Sequence, residues 1–212
     1  VSQQKDADLC KVILKKIRPD WVIVDHYALD ETWQVSLQET YKKIMVIDDL
    51  ADRKHHCDLL LDQTYNRQIQ SYKYLVPDNC RLLLGSKYSL LRPEFSMWRK
   101  YSLNRRQNPE FKKLLITLGG SDENNITGRI LDKLETCNLQ DDLEIMVIVG
   151  SICPHLEDIK KQAEALPYKI DVRSNISNMA EIMANSDFAV GASGSTTWER
   201  CCLGLPSIQV IL

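Results

Sequence analysis

Leu9, Val12, Ile13 and Ile17 recur at helical spacing and predict an amphipathic helix that Pro19 ends. Directly after it, Trp21-Val-Ile-Val24 is an unbroken apolar run closed by Asp25, the pattern of a strand buried on both faces. The same alternation then repeats. Residues 31–41 predict a helix, Ile44-Met-Val-Ile47 a strand, Leu59-Leu-Leu61 and Arg81-Leu-Leu-Leu84 two further strands, and residues 94–101 another helix. Helix alternating with buried strand predicts a parallel sheet with right-handed crossovers. Residues 102–110 interrupt this texture: they are polar, contain Pro109, and offer almost nothing to bury, so they read as a linker. Beyond them the alternation restarts, with strands over 113–118, 144–149, 168–172 and 187–190. Helices fall between, over 125–136, 155–165 and 177–184, the last begun by Ser177 as a cap. The predicted class is α/β in two domains, residues 1–103 and 111–212. Both are expected to be incomplete, because the chain opens at Val1 without a methionine and closes on Gln209-Val-Ile-Leu212, which reads as a strand still under way.

Composition narrows the partners. With 212 residues and 44% hydrophobic content the chain can bury ordinary globular cores, and a formal charge of −2 provides no general field for nucleic acid. The one basic cluster, Arg99, Lys100, Arg105 and Arg106, reads as a solvated linker face. Seven cysteines, at 10, 57, 80, 137, 153, 201 and 202, form no Cys-x-x-Cys pair, which fits a reducing, cytoplasmic setting. No apolar run approaches the roughly 20 residues needed to span a bilayer, so no membrane partner is expected.

In open α/β sheets ligands bind at the carboxyl ends of the strands. That rule selects Asp25-His26-Tyr27, Asp48-Asp49, Gly119-Gly120-Ser121-Asp122 and the stretch from Gly191 to Glu199. The last has the order of parts that builds an anion site. A buried strand ends near Gly191, small residues let backbone N–H groups approach a ligand, and a helix N-terminus follows with its unsatisfied donors. Glu199 has two readings of about equal weight. Its carboxylate could accept from the two hydroxyls of a ribose, or it could close a capping box with Thr196 at its own helix start. Gly119 and Gly120 read first as a tight turn, with contact to a diphosphate as a consequence. Asp25 reads as a cap, His26 as an acid, base or donor, and Tyr27 as a sugar contact or an interdomain plug. Lys54-His-His-Cys57-Asp58 has metal-ligand residue types without metal-site spacing, and Asp48-Asp49 fits a turn better than Mg²⁺, so no metal is expected. The chain has neither a P-loop nor a Gly-x-Ser-x-Gly elbow.

Taken in order, five stretches carry a resemblance. They are Val24-Asp-His-Tyr-Ala-Leu-Asp30, the run from Val46-Ile-Asp-Asp-Leu-Ala-Asp-Arg53 to Gln63, the run from Leu84-Gly-Ser-Lys87 to Phe95, Leu118-Gly-Gly-Ser-Asp122, and Gly191-Ala-Ser-Gly-Ser-Thr-Thr-Trp-Glu199. Together they resemble the bacterial hydrolases of UDP-2,4-diacetamido-2,4,6-trideoxy-β-L-altropyranose that serve pseudaminic acid synthesis. The resemblance implies a GT-B-type fold, two Rossmann-like domains facing across a cleft, with UDP held mainly by the second. It implies ribose contact by Glu199, a phosphate-binding turn at Ser193, Gly194, Ser195 and Thr196 supported by Gly119 and Gly120, and a sugar-side place for Tyr27, with His26 beside it. The implied reaction is cofactor-free and metal-free hydrolysis of the sugar C1–O bond with inversion, on a UDP-linked deoxyamino sugar, by a monomer. The implied general base is a histidine in a Gly-x-Gly-His turn after the family's first strand. This sequence has no such turn, so the base is expected to precede Val1, and no catalytic role passes to His26, His55, His56 or His155.

Overall fold

A computed structural model describes residues 2–211 and divides the chain into two compact units, Val1–Leu90 and Leu91–Leu212. The first unit carries helix α1 (Gln3–Ile17), strand β1 (Trp21–Val24), α2 (Glu31–Leu37), β2 (Lys43–Ile47), β3 (Leu59–Asp62) and β4 (Arg81–Leu84). Its four strands are parallel, in the order β1-β2-β3-β4. The core packs Val24, Ile44, Val46 and Leu60 of the strands against Ala7, Trp33 and Leu37 of the helices.

Three expectations for this unit are corrected. Leu9, Val12, Ile13 and Ile17 are exposed, and α1 instead turns Ala7, Cys10 and Leu14 inward. Polar contacts fix that rotation: Asp6 accepts from the Trp33 indole N–H at 2.8 Å, and Gln3 donates to Asp30 at 2.8 Å. β1 is an edge strand, with Trp21 and Ile23 exposed and only Val24 fully buried, so it is not covered on both faces. The helix expected over 31–41 stops at Leu37, and the Tyr41 hydroxyl donates to the Gln34 carbonyl at 3.0 Å.

The second unit begins with α3 (Pro93–Arg105). It continues with β5 (Lys113–Thr117), α4 (Ile126–Leu134), β6 (Glu144–Val149), α5 (Leu156–Ala165), β7 (Lys169–Ser174), α6 (Met179–Asn185), β8 (Phe188–Ala192), α7 (Ser195–Leu203) and β9 (Ser207–Val210). All five strands are parallel, in the order β7-β6-β5-β8-β9. Each face of the sheet has its own core. Leu114, Ile116, Ile145 and Val147 pack with Leu131 and Ile159 of α4 and α5, whereas Leu115, Ile148 and Ala189 pack with Phe95, Met183 and Leu203 of α3, α6 and α7. Burial on both faces explains why β5 reads as an uninterrupted apolar run.

The structure shifts the division between the units. The sequence places it at 103–111, but α3 packs on α6 and α7, so the boundary falls at Leu90 and Leu91. Residues 102–106 are not a bare linker. Ser102 is fully buried and donates to the Leu203 carbonyl at 2.7 Å, and Arg106 donates to the carbonyls of Met183 at 3.0 Å and Ser186 at 2.8 Å at the end of α6. Arg105 pairs with the Asp187 carboxylate. α6 begins at Met179 with Asn178 at its N-cap, so Ser177 is not the cap.

Candidate functional site

The chain winds from β5 outward through β6 to β7, then returns to β8 on the other side of β5. The connections leaving the carboxyl ends of β5 and β8 therefore diverge, which opens a crevice at the switch in strand order. It measures about 460 Å³ and is walled by residues 118–124 and 126 on one side and residues 192–196 on the other. Gly119, Gly120, Ser193, Gly194, Ser195 and Thr196 thus come together as the sequence predicts.

Glycine is required at one point of this wall and at one contact with it. Gly119 has φ +98°, a conformation that side chains disfavour. Gly150, which follows β6, lies so close to the turn that a Cβ there would fall 1.7 Å from the Gly120 carbonyl oxygen.

Two helices start at the crevice, and only one offers free donors. At α4, Asp122 accepts from the N–H groups of Ile126 and Thr127 at 2.8 and 2.9 Å, and Asn125 accepts from Gly128 at 3.2 Å. That end is already satisfied. At α7 the N-cap is Gly194, which has no side chain to cap with. Thr197 partly closes the turn, its hydroxyl accepting from the Gly194 N–H at 3.3 Å. The start of α7 thus presents its first N–H groups and its positive dipole end to the crevice.

Glu199 lies on the second turn of α7, not at N3, so it takes no part in a capping box. It is half-buried, and it does not line the crevice wall. Burial pushes its pKa up, against the pull of Arg92 and Arg200. Arg200 is fully buried beneath the turn, and a Cβ on Gly191 would fall 2.4 Å from its Nη1. Sequence reasoning missed both Arg200 and Gly150. The available signal for Arg200 was its spacing of three residues from the buried Leu203, which puts it on the inner face of α7.

In the first unit, Tyr27 at the end of β1 is exposed and donates to Asp49 Oδ2 at 3.1 Å. His26 Nδ1 accepts from the Ala28 N–H at 3.0 Å, and Asp30 rather than Asp25 caps α2, accepting from Thr32. Asp48 and Asp62, at the ends of β2 and β3, are buried, and the Tyr72 hydroxyl lies 2.8 Å from an oxygen of each. Arg53 pairs with Asp48 at 3.0 Å and Arg67 with Asp62 at 2.5 Å. His55 is buried, contacts Gln34 at 3.0 Å, and stands 3.9 Å from Asp48, beyond hydrogen-bond reach. His155 contacts the Glu123 carbonyl at 3.0 Å. Among the described residues no group of three or more His, Cys, Asp or Glu side chains is arranged to hold a metal ion, and no helix is long and apolar enough to cross a membrane.

Residues 114–212 match the glycosyltransferase family 28 C-terminal domain. Among particular proteins, the chain is 30% identical over 199 residues to an uncharacterised protein of Methanocaldococcus jannaschii, covering 92% of this chain and 41% of the relative. It is 29% identical over 173 residues to the spore coat polysaccharide biosynthesis protein SpsG of Bacillus subtilis, covering 80% and 49%. It is 28% identical over 193 residues to the UDP-2,4-diacetamido-2,4,6-trideoxy-beta-L-altropyranose hydrolase of Campylobacter jejuni, covering 90% and 66%. The chain thus spans between 41% and 66% of these relatives' lengths. The crystal structure of Acinetobacter baumannii MurG superposes with a TM-score of 0.61 at 13% identity, over 98% of this chain and 57% of that one, a likeness of fold. The resemblance drawn from the motifs holds, as does the α/β class with parallel sheets.

Proposed function

We propose that this chain holds the UDP part of a UDP-linked deoxyamino sugar and belongs to an enzyme that hydrolyses the sugar C1–O bond, releasing UDP. The observation that carries this reading is the uncapped start of α7, aimed into the crevice where β5 and β8 diverge. Glu199, with no role in the helix cap, is the proposed ribose acceptor, and residues 193–196 with Gly119 and Gly120 are the proposed cradle of the diphosphate. Tyr27 and His26 are proposed for the sugar side. The base that activates water is assigned to none of the four histidines here. It is proposed to lie in the Gly-x-Gly-His turn that this sequence lacks. The hydrolase among the relatives supports the reaction type.

The match to a glycosyltransferase domain favours a second reading, transfer of the sugar to an acceptor from the same UDP site. The two separate in one assay on the full-length protein. Hydrolysis predicts release of UDP and free sugar with no acceptor present; UDP release that appears only when an acceptor is added establishes transfer instead.

A further inference from the structure

Arg200 is 1% exposed, yet among the described residues no carboxylate lies within ion-pairing distance of it. Its guanidinium is spent on the turn above it. Nη2 donates to the Ala192 carbonyl at 2.8 Å and to Thr197 Oγ1 at 3.3 Å, and Nη1 donates to Thr196 Oγ1 at 3.2 Å. Nε is buried without an acceptor among the described residues. A buried guanidinium lacking a counter-ion is costly unless negative charge comes from elsewhere. Glu199 acts on it only electrostatically, without an ion-pair contact, so a ligand in the crevice is the further negative charge that can reach it.

The hydroxyl bookkeeping sharpens this. Arginine only donates, so Thr196 and Thr197 must both act as acceptors toward it. Thr197 is then used up internally: it also accepts from the Gly194 N–H, and its own proton faces Gln209 Oε1 at 3.5 Å. Thr196 lines the crevice and keeps a free proton. We infer that Arg200 is the positioning residue of the anion turn: by holding the Thr196 oxygen as an acceptor it commits the Thr196 hydroxyl proton to a phosphate in the crevice, and it supplies the fixed positive charge beneath. The absence of a side chain at Gly191 is what lets the guanidinium reach this place, since a Cβ would collide with it. This inference rests on the crevice being an anion site, and it adds the groups that make it selective for the phosphates over the nucleoside.

The test is calorimetric titration of the full-length protein with UDP, uridine and inorganic pyrophosphate, alongside melting curves. Thr196→Val is expected to weaken UDP and pyrophosphate by about tenfold or more, the loss of one hydrogen bond to a charged group, with uridine changed less than twofold. Thr196→Ser, which keeps the hydroxyl, should restore both. Arg200→Gln should weaken UDP and pyrophosphate but not uridine, and Arg200→Lys should fall between, retaining charge without the planar fork. An Arg200→Gln protein that loses UDP and uridine by the same factor would show a structural plug and overturn the inference. Should Arg200→Gln not fold, the Thr196 pair decides, and wild-type pyrophosphate affinity in Thr196→Val overturns it. Pyrophosphate binding that depends on Thr196 in a protein indifferent to uridine sustains the inference and removes the nucleotide reading. UDP binding that ignores Thr196→Val does the reverse.

Discussion

Glu199 carries a carboxylate that the helix does not need. Burial raises its pKa, so the ionised form is less favoured in the folded protein than in the unfolded chain. Its contribution to stability is present below the ordinary glutamate range, about 4.3, and is lost as pH rises through the raised folded value. Glu199→Gln at pH 7 should therefore leave the melting temperature unchanged or slightly higher, while weakening UDP binding by about 1–3 kcal/mol if the carboxylate holds the ribose. A large fall in melting temperature with unchanged UDP affinity would assign it a structural role. Asp48 has the opposite sign. Burial alone would raise its pKa, but the Ala51 N–H, Tyr72 and Arg53, all within bonding distance, outweigh it and hold the carboxyl well below the usual range. Its stabilisation is present above the unfolded value, about 3.9, and is lost as pH falls further. Asp48→Asn should cost about 1–3 kcal/mol near neutrality, because the buried carboxylate shared by Arg53, Tyr72 and the Ala51 N–H is lost while Arg53 keeps Asp52, and should flatten the acid limb of the stability profile. Urea melts from pH 7 to 3 read both effects. At this scale the exposed turn was legible, because glycine and serine after a strand announce it locally. The groups beneath it were not. Arg200 shares the inner face of α7 with Leu203, but an arginine in an apolar pattern reads as solvated, so its burial was not expected.

The elements differ in how openly the sequence declares them. β1, β4 and β6 fall where the apolar runs predict, although only β6 is a covered inner strand while β1 and β4 are edges of their sheet. α3 extends past its prediction to Arg105 because the residues that anchor its end, Ser102, Arg105 and Arg106, are polar. A pattern of hydrophobicity counts them as solvated, yet they satisfy carbonyls at the ends of α6 and α7. The contact between Gly150 and Gly120 joins two turns 30 residues apart, which no local pattern reveals. Gly150→Ala should cost about 1–3 kcal/mol or more by overpacking and should weaken UDP binding as well, since the displaced backbone forms the crevice wall. Thermal melting and UDP titration on the same protein check it, and an unchanged UDP affinity would separate the wall from the ligand.

For the molecule as a whole, the boundary at Leu90 and Leu91 makes a prediction about autonomy. Phe95 of α3 is fully buried against the second unit's core, so residues 91–212 should melt cooperatively, whereas residues 107–212, lacking α3, should not. Equal melting of the two would return the boundary to the polar segment after Arg105. In the proposed site the positive charge offered to a diphosphate is that of α7 and Arg200, so full-length activity should persist in EDTA; its abolition and rescue by Mg²⁺ would place a cation at the phosphates.

The central claim is that UDP binds where β5 and β8 diverge. Hydrogen–deuterium exchange of the full-length protein with and without UDP reads this directly. UDP should slow exchange in peptides spanning residues 119–124 and 192–199 and leave the opposite ends of the strands, around Lys113, Glu144 and Lys169, unchanged. Slowing confined to that opposite end, or none in either turn at saturating UDP, would contradict it.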